Sequence, residues 1–183
     1  MNKKEIFKPY AIVALSALKE LEKIEKKMEE KNKQEKKLLA RQVAGMKHVI
    51  DRCFRLTGDF MPVHVSKLAK KYCDDNNLGD IFKIGWGKQA TFEKKVNRAG
   101  CQLKHEHKKP VADLSKSLRK VKNLNEAIEI FEGQEIVWVT KDEDRKLPKT
   151  NRADSDKAYE DAEIVIIRNE SAVGSLFTGV TSV

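Results

Sequence analysis

Leu15, Leu18, Leu21, Ile24 and Met28 follow one another at spacings of three and four, and the same rhythm resumes at Leu39, Val43, Met46 and Ile50. That is the period of an α-helix with one face turned to a core. The stretch between them, EEKNKQEKK, has no apolar residue. Residues 8 to 56 therefore predict either one helix crossing a solvated gap or two helices folded back near Asn32. The hairpin is favoured, because an unsupported helix of that length would leave its apolar stripe in water. TGDFMP, with Gly58 and Pro62, ends the segment. A further helix is expected from Val63 to Cys73, with Val65, Leu68, Ala69 and Tyr72 on one face. Beyond it, Gly85 and Gly87 flank Trp86, read as a core residue, and a short helical pattern runs to about Val96.

From Gly100 the pattern changes. Residues 100 to 107 can form a strand, and 111 to 132 carry a helical period through Val111, Leu114, Leu118, Val121, Leu124, Ala127, Ile128 and Phe131, closed by Gly133. EIVWVT, 135 to 140, is rich in β-branched and aromatic residues and predicts a strand, as does EIVIIR, 163 to 168. The polar segment between them reads as an exposed loop with one helical turn, and the last fifteen residues are small and turn-rich. The expected fold is α+β, with a long N-terminal helical arm or hairpin (residues 1–56), then central helices and a small C-terminal sheet (57–183).

Composition changes the picture in one respect. Across 183 residues, 40 % are hydrophobic and 36 % charged, enough apolar material for a core. The 37 Lys and Arg exceed the 28 Asp and Glu by nine. A surplus of that size in a small protein attracts polyanions, since phosphate contacts release condensed counterions, so nucleic acid is the leading partner, DNA ahead of RNA. The Lys and Glu side chains of the arm read as a solvated face with no assigned function, although the arm also fits a short coiled coil and hence a homodimer. Cys53, Cys73 and Cys101 lack CxxC spacing, which argues against a disulfide framework or a cysteine zinc site and for a reducing compartment. The apolar run from Tyr10 to Leu18 is too short for a membrane span and flows into a charged helix, so a cytoplasmic protein without a membrane partner is expected.

The candidate chemistry lies in CQLKHEHKKPVADL, where His105 and His107 flank Glu106. Metal-assisted phosphodiester hydrolysis needs a base to deprotonate water and a cation to neutralise developing charge. Imidazole suits the first task and a carboxylate bound to a hard cation the second. If the chain turns at Pro110, Glu106 and His107 can converge from the strand end. EHKKP, followed sixteen residues after the histidine by NLNEAIEIF, resembles the HNH family of nucleases, in which an acidic residue and a histidine precede a proline and a later asparagine opens the helix of a ββα-metal motif. The resemblance covers residues 101–132. It implies a Mg²⁺- or other divalent-cation-dependent endonuclease of restriction or phage type, with Glu106 as metal ligand, His107 as general base, Asn123 buttressing the histidine-bearing loop and His105 contacting phosphate. Phe131 and Glu132 stand where the family's last ligand is usual, which makes Glu132 the second metal ligand. Lys104, Lys108, Lys109, Lys116, Arg119 and Lys120 would hold the nucleic acid, and Asp142 and Asp144 would join if their loop folds back. The alternative is a non-enzymatic, basic nucleic-acid-binding or protein-interaction module, its histidines structural.

Overall fold

A computed structural model of the chain describes residues 2–61, 63–83 and 102–169. The short helical pattern around Trp86, Cys101 and the last fourteen residues lie outside the described residues. The fold is α+β and divides into two compact units: Met1–Thr57 with Leu114–Gly133, and Gly58–Asp113 with Gln134–Val183.

The first unit is helical. Helix α1 spans Lys3–Glu29 and α2 Lys33–Leu56, so the arm is a hairpin that breaks at the expected place. The break is local chemistry: Asn32 leaves helical geometry and its side chain accepts from the backbone N–H groups of Gln34 and Glu35, while Glu35 reaches back to the Asn32 N–H. This reciprocal capping satisfies donors that a helix start leaves orphaned. An equivalent box, Asn2 with Glu5, starts α1 at Lys3, earlier than apolar spacing alone indicates.

The buried seam of α1 also differs from the leucine stripe. Phe7, Ala11, Ala14, Leu18 and Leu21 form it, with Ala17 and Ile24 beside them, while Leu15 is only half-buried. The alternating steps of four and three are those of a coiled-coil seam, and the small alanines permit close helix approach. On α2 the facing stripe is Leu39, Val43, Met46, Ile50 and Cys53, with burial complete only from Ile50 onward. Two further helices follow where the sequence predicts one: α4, Val111–Leu118, whose last turns lie in this unit, and α5, Leu124–Glu132. Asn123 separates them because its side chain caps α5 through the Glu126 N–H. Ala127, Ile128 and Phe131 of α5 are buried, and the Phe131 ring stacks on Phe54 with centroids 4.4 Å apart. Burying side chains of this size stabilises by about 1.5–3 kcal/mol each relative to leaving them in water.

The described residues of the second unit form a mixed sheet of four strands: β1 Val63–Ser66, β2 Leu103–His107, β3 Ile136–Thr140 and β4 Ile166–Ile167, in the order β2-β3-β1-β4. β1 runs parallel to β3, while β2–β3 and β1–β4 are antiparallel. The helix expected to begin at Val63 begins instead at Lys67 as α3, Lys67–Asp75. Val63 and Val65 suit a pleated surface, and the Ser66 hydroxyl caps α3 through the Ala69 N–H. The segment read as an exposed loop holds two short helices, α6 Lys141–Lys146 and α7 Ser155–Asp161, and the last strand contracts to two residues.

Register sorts the sheet into two faces. Leu103, Val65 and Trp138 lie on one, where they pack with Ala69, Cys73 and Ile81. Val137 and Val139 lie on the other, against Leu147, Tyr159 and Ile164. Among the described residues no helix is long and apolar enough to cross a membrane.

Candidate functional site

Among the described strands β2 lies at the sheet edge, and the His-Glu-His triplet fills the last three of its five pairs with β3: His105 opposite Trp138, Glu106 opposite Val137, His107 opposite Ile136. The ladder continues one step further, the Lys108 N–H donating to the Glu135 carbonyl at 2.9 Å. Because pleated strands alternate, His105 and His107 share the Trp138 face and Glu106 takes the Val137 face. Glu106 and His107 are not brought together, since regular pairing persists past both before the chain reaches Pro110.

His105 is buried. Its ring meets Trp138 edge-on with centroids 4.6 Å apart, and its Nε2 has no hydrogen-bond partner among the described residues. Burial, and secondarily the nearby His107, pulls its pKa down to about 3. This ring is thus neutral across the working range and spends its apolar body on packing. His107 is 6 % exposed on the same face. A stability signature follows from the His105 shift. The unfolded chain protonates this residue below about pH 6.5 while the fold resists until about pH 3, so the unfolded state binds the extra proton and stability falls as pH drops through that window. His105→Phe is expected to flatten the decline in urea midpoint between pH 7 and 4.5; parallel curves for variant and wild type would refute the assignment.

On the opposite face Glu106 sits in a polar niche of the second unit. Its Oε1 accepts from Arg152 Nη2 at 3.1 Å. Asp144, on α6, bears on it electrostatically, as does Lys149, whose Nζ donates to Asp144 Oδ1 at 2.5 Å. The segment expected to be a loop is helix α6 here, and it brings Asp144 towards Glu106. Burial is the largest influence on Glu106 and, with Asp144, outweighs the two cations, so its carboxyl lies above the ordinary carboxylate range. Arg152 is the organising group. Its side chain is fully buried; Nη1 donates to the carbonyls of His107 and Lys108, and Nη2 also donates to that of Pro148. In return the Asp113 carboxylate accepts from the Asn151 and Arg152 N–H groups. Arg152 also borders a groove of about 580 Å³ with Lys146, Lys157 and Asp161.

A second cluster surrounds Lys108, whose Nζ contacts Glu135 at 2.7 Å and Asp156 at 3.0 Å. Burial alone would lower its pKa, but hydrogen bonds to those carboxylates reverse the sign. His64 lies 3.6 Å from Glu135, and burial lowers its pKa more than Glu135 raises it. Its Nδ1 accepts from the Asn169 N–H, which leaves the neutral ring's proton on Nε2, facing Glu135.

The remaining expected residues are distributed across the chain. Asn123 and Glu132 belong to the helical unit, Asn123 as a helix cap that also donates to Glu126. Lys104, Lys109, Lys116 and Lys120 are exposed; Lys108 is engaged by carboxylates; and Arg119 makes a two-pronged pair with Glu25 at 3.0 and 3.2 Å. Asp142 pairs with Arg145 on the surface. For Mg²⁺ the oxygen donors Glu106 and Asp144 are of the right kind, but Arg152 and Lys149 already neutralise them. Among the described residues no three His, Cys, Asp or Glu side chains are grouped to hold a metal ion. The residues present do not form a ready cation site. Sequence reasoning passed over Lys149, Arg152 and Tyr159, which sit in a segment without periodicity. No protein-family model, curated protein or solved structure matches the chain.

Proposed function

We propose that this protein binds nucleic acid through the charge of its helical unit. The supporting observation is the uneven placement of charge. Met1–Thr57 and Leu114–Gly133 hold 19 Lys and Arg against 11 Asp and Glu, eight of the chain's nine surplus positive charges. The other unit is close to neutral, with 18 against 17. A concentrated positive field favours phosphate backbones without base contacts, with non-specific dissociation constants of about 10⁻⁴–10⁻⁶ M at physiological salt.

A second reading, hydrolysis of the bound backbone as in a metal-dependent endonuclease, rests on the HNH-like pattern of residues 101–132 and requires Glu106 and Asp144 to exchange Arg152 and Lys149 for a cation. One experiment addresses both. A labelled duplex is titrated with protein across a salt series, and a supercoiled plasmid is incubated with Mg²⁺, Mn²⁺ or EDTA in the presence of wild type, His107→Ala and Glu106→Gln. Steeply salt-dependent binding without nicking supports the binding protein alone. Metal-dependent nicking that both variants lose while still binding supports the endonuclease. Absence of duplex and single-strand binding even at low salt removes both readings.

A further inference from the structure

The charge of the helical unit is also ordered along α2. At 3.6 residues per turn, Lys36 and Lys47 fall on one flank of a single arc of the helix, and Arg41, His48 and Arg52 on the other. Lys33, Lys37, Ala40 and Ala44 lie between the flanks. All nine residues are exposed. The apolar stripe that packs towards α1, namely Leu39, Val43, Met46, Ile50 and Cys53, occupies the opposite side, so the hairpin itself holds this arc outward. Lys33, Lys36, Lys37, Arg41 and Lys47 make no ion pair among the described residues. Asp51, the acidic side chain in the arc, is held by Arg55 at 2.7 Å, and Glu35 points away to cap the helix.

Two features of this arc point to one kind of partner. First, four of the cations form two rows, with Lys33 and Lys37 between them at the N-terminal end. Lys36 and Lys47 are eleven residues apart, as are Arg41 and Arg52, so each row advances about 16 Å along the axis. Second, beyond Lys33 and Lys37 at its N-terminal end, the strip between the rows is floored by Ala40 and Ala44 on successive turns, which keeps the middle of that side slim. The major groove of B-form DNA is about 12 Å wide, admits one α-helix and is bordered on both sides by phosphates. A slim helix with a cationic row on each flank matches it in width and charge. An interfacial membrane helix would instead place large apolar side chains within the exposed face, and this arc has none; the exposed Leu38 lies beyond its edge.

We infer that the Lys36–Arg52 face of α2 docks into the major groove of duplex DNA, its two cationic rows meeting the phosphates on either side. The inference rests on the nucleic-acid reading above and adds to it the surface and the form of the ligand. No side chain in the central strip has the planar, bidentate group that reads a base edge, so docking there is insensitive to sequence.

The test uses the full chain and a fluorescent duplex of mixed sequence, followed by anisotropy from low to moderate salt. One variant carries Lys36→Gln, Lys37→Gln, Arg41→Gln and Lys47→Gln. A control removes the same charge from α1 of the same unit through Lys8→Gln, Lys19→Gln, Lys26→Gln and Lys27→Gln. Glutamine keeps helix propensity, and circular dichroism verifies equal helix content. The α2 variant is expected to lose about 3 to 4 from the slope of log K against log salt, at about 0.9 per phosphate contact, and on the order of a hundred-fold in affinity. The control is expected to stay within one contact of wild type. A third variant, Ala44→Phe, leaves charge untouched but thickens the central strip, and is expected to weaken duplex binding about ten-fold with little change in slope. Duplex RNA, whose major groove is too narrow for a helix, is expected to bind about ten-fold more weakly than DNA. Equal losses in the α2 variant and the control, wild-type affinity in Ala44→Phe, or equal binding of both duplexes overturns the docking face while leaving nucleic-acid binding intact. Binding to phosphatidylserine vesicles with none to any nucleic acid overturns both.

Discussion

Arg152→Met is expected to destabilise the sheet unit by about 3–5 kcal/mol, the range for removing one partner of a buried charge pair. The guanidinium is fully buried and donates to Glu106 and to the carbonyls of His107, Lys108 and Pro148. Methionine has comparable length and no donor, so it leaves a carboxylate and three carbonyl groups without their partner in a low-dielectric setting. The deficit should also depend on pH in a definite direction. Burial already raises the Glu106 pKa in the presence of Arg152, and deleting the cation raises it further. A carboxyl whose folded pKa exceeds its unfolded value binds more protons when folded, so its contribution to stability is fullest at low pH and is lost as pH rises through the folded pKa. The gap between Arg152→Met and wild type is therefore expected to be wider at pH 7 than at pH 4.5, and Arg152→Met with Glu106→Gln should recover part of it at pH 7. Urea denaturation of the four proteins of the cycle decides the matter. A deficit below about 1 kcal/mol, or one that widens in acid, is inconsistent with this arrangement.

Trp138→Ala should have an effect of the same size, about 3–5 kcal/mol, through a different cause. Trp138 is fully buried at the centre of β3, in a core with Val65, Ala69, Cys73, Ile81 and Leu103, and it carries the edge-on contact with His105. Truncation removes both the transfer free energy of the ring and its contacts, leaving a cavity that β1 and β2, paired on either side, cannot readily close. Among the described residues the indole N–H has no hydrogen-bond partner. Its loss therefore costs nothing in native hydrogen bonding, and Trp138→Phe is expected to lose less than about 1.5 kcal/mol, the cost of a modest volume change. Comparable losses for the two variants, measured by chemical denaturation, would show that the N–H is satisfied and the packing account incomplete.

Local chemistry made much of the helical unit legible. The polar run between two apolar rhythms marks the hairpin, and the turn falls on Asn32 because that side chain offers the backbone an alternative partner. The leucine stripe misplaces the α1 seam, because alanines at 11, 14 and 17 carry no strong hydrophobic signal yet are buried. In the sheet unit β3 stands out by its β-branched and aromatic run, whereas β1 does not: its strand state is fixed by parallel pairing to residues 136–138, some seventy positions away, which no local window contains. The triplet was legible as an unusual cluster with two orientations open: Glu106 and His107 converging at a strand end, or the two histidines sharing one strand face. Strand alternation decided between them, and the turn at Pro110 comes too late to change the outcome. Arg152 was invisible for a related reason, since its partners are backbone carbonyls and a carboxylate around forty-five residues earlier.

The helical unit is closed by a stretch, Leu114–Gly133, that the chain reaches only after it has left for β1 and β2 and before it returns to lay down β3. Neither unit is a single run of sequence. A fragment ending near residue 57 would lack the helix that supplies Phe131 to Phe54, and one beginning there would carry that helix without its mate. One crossover between genes therefore cannot exchange either unit whole as a cassette.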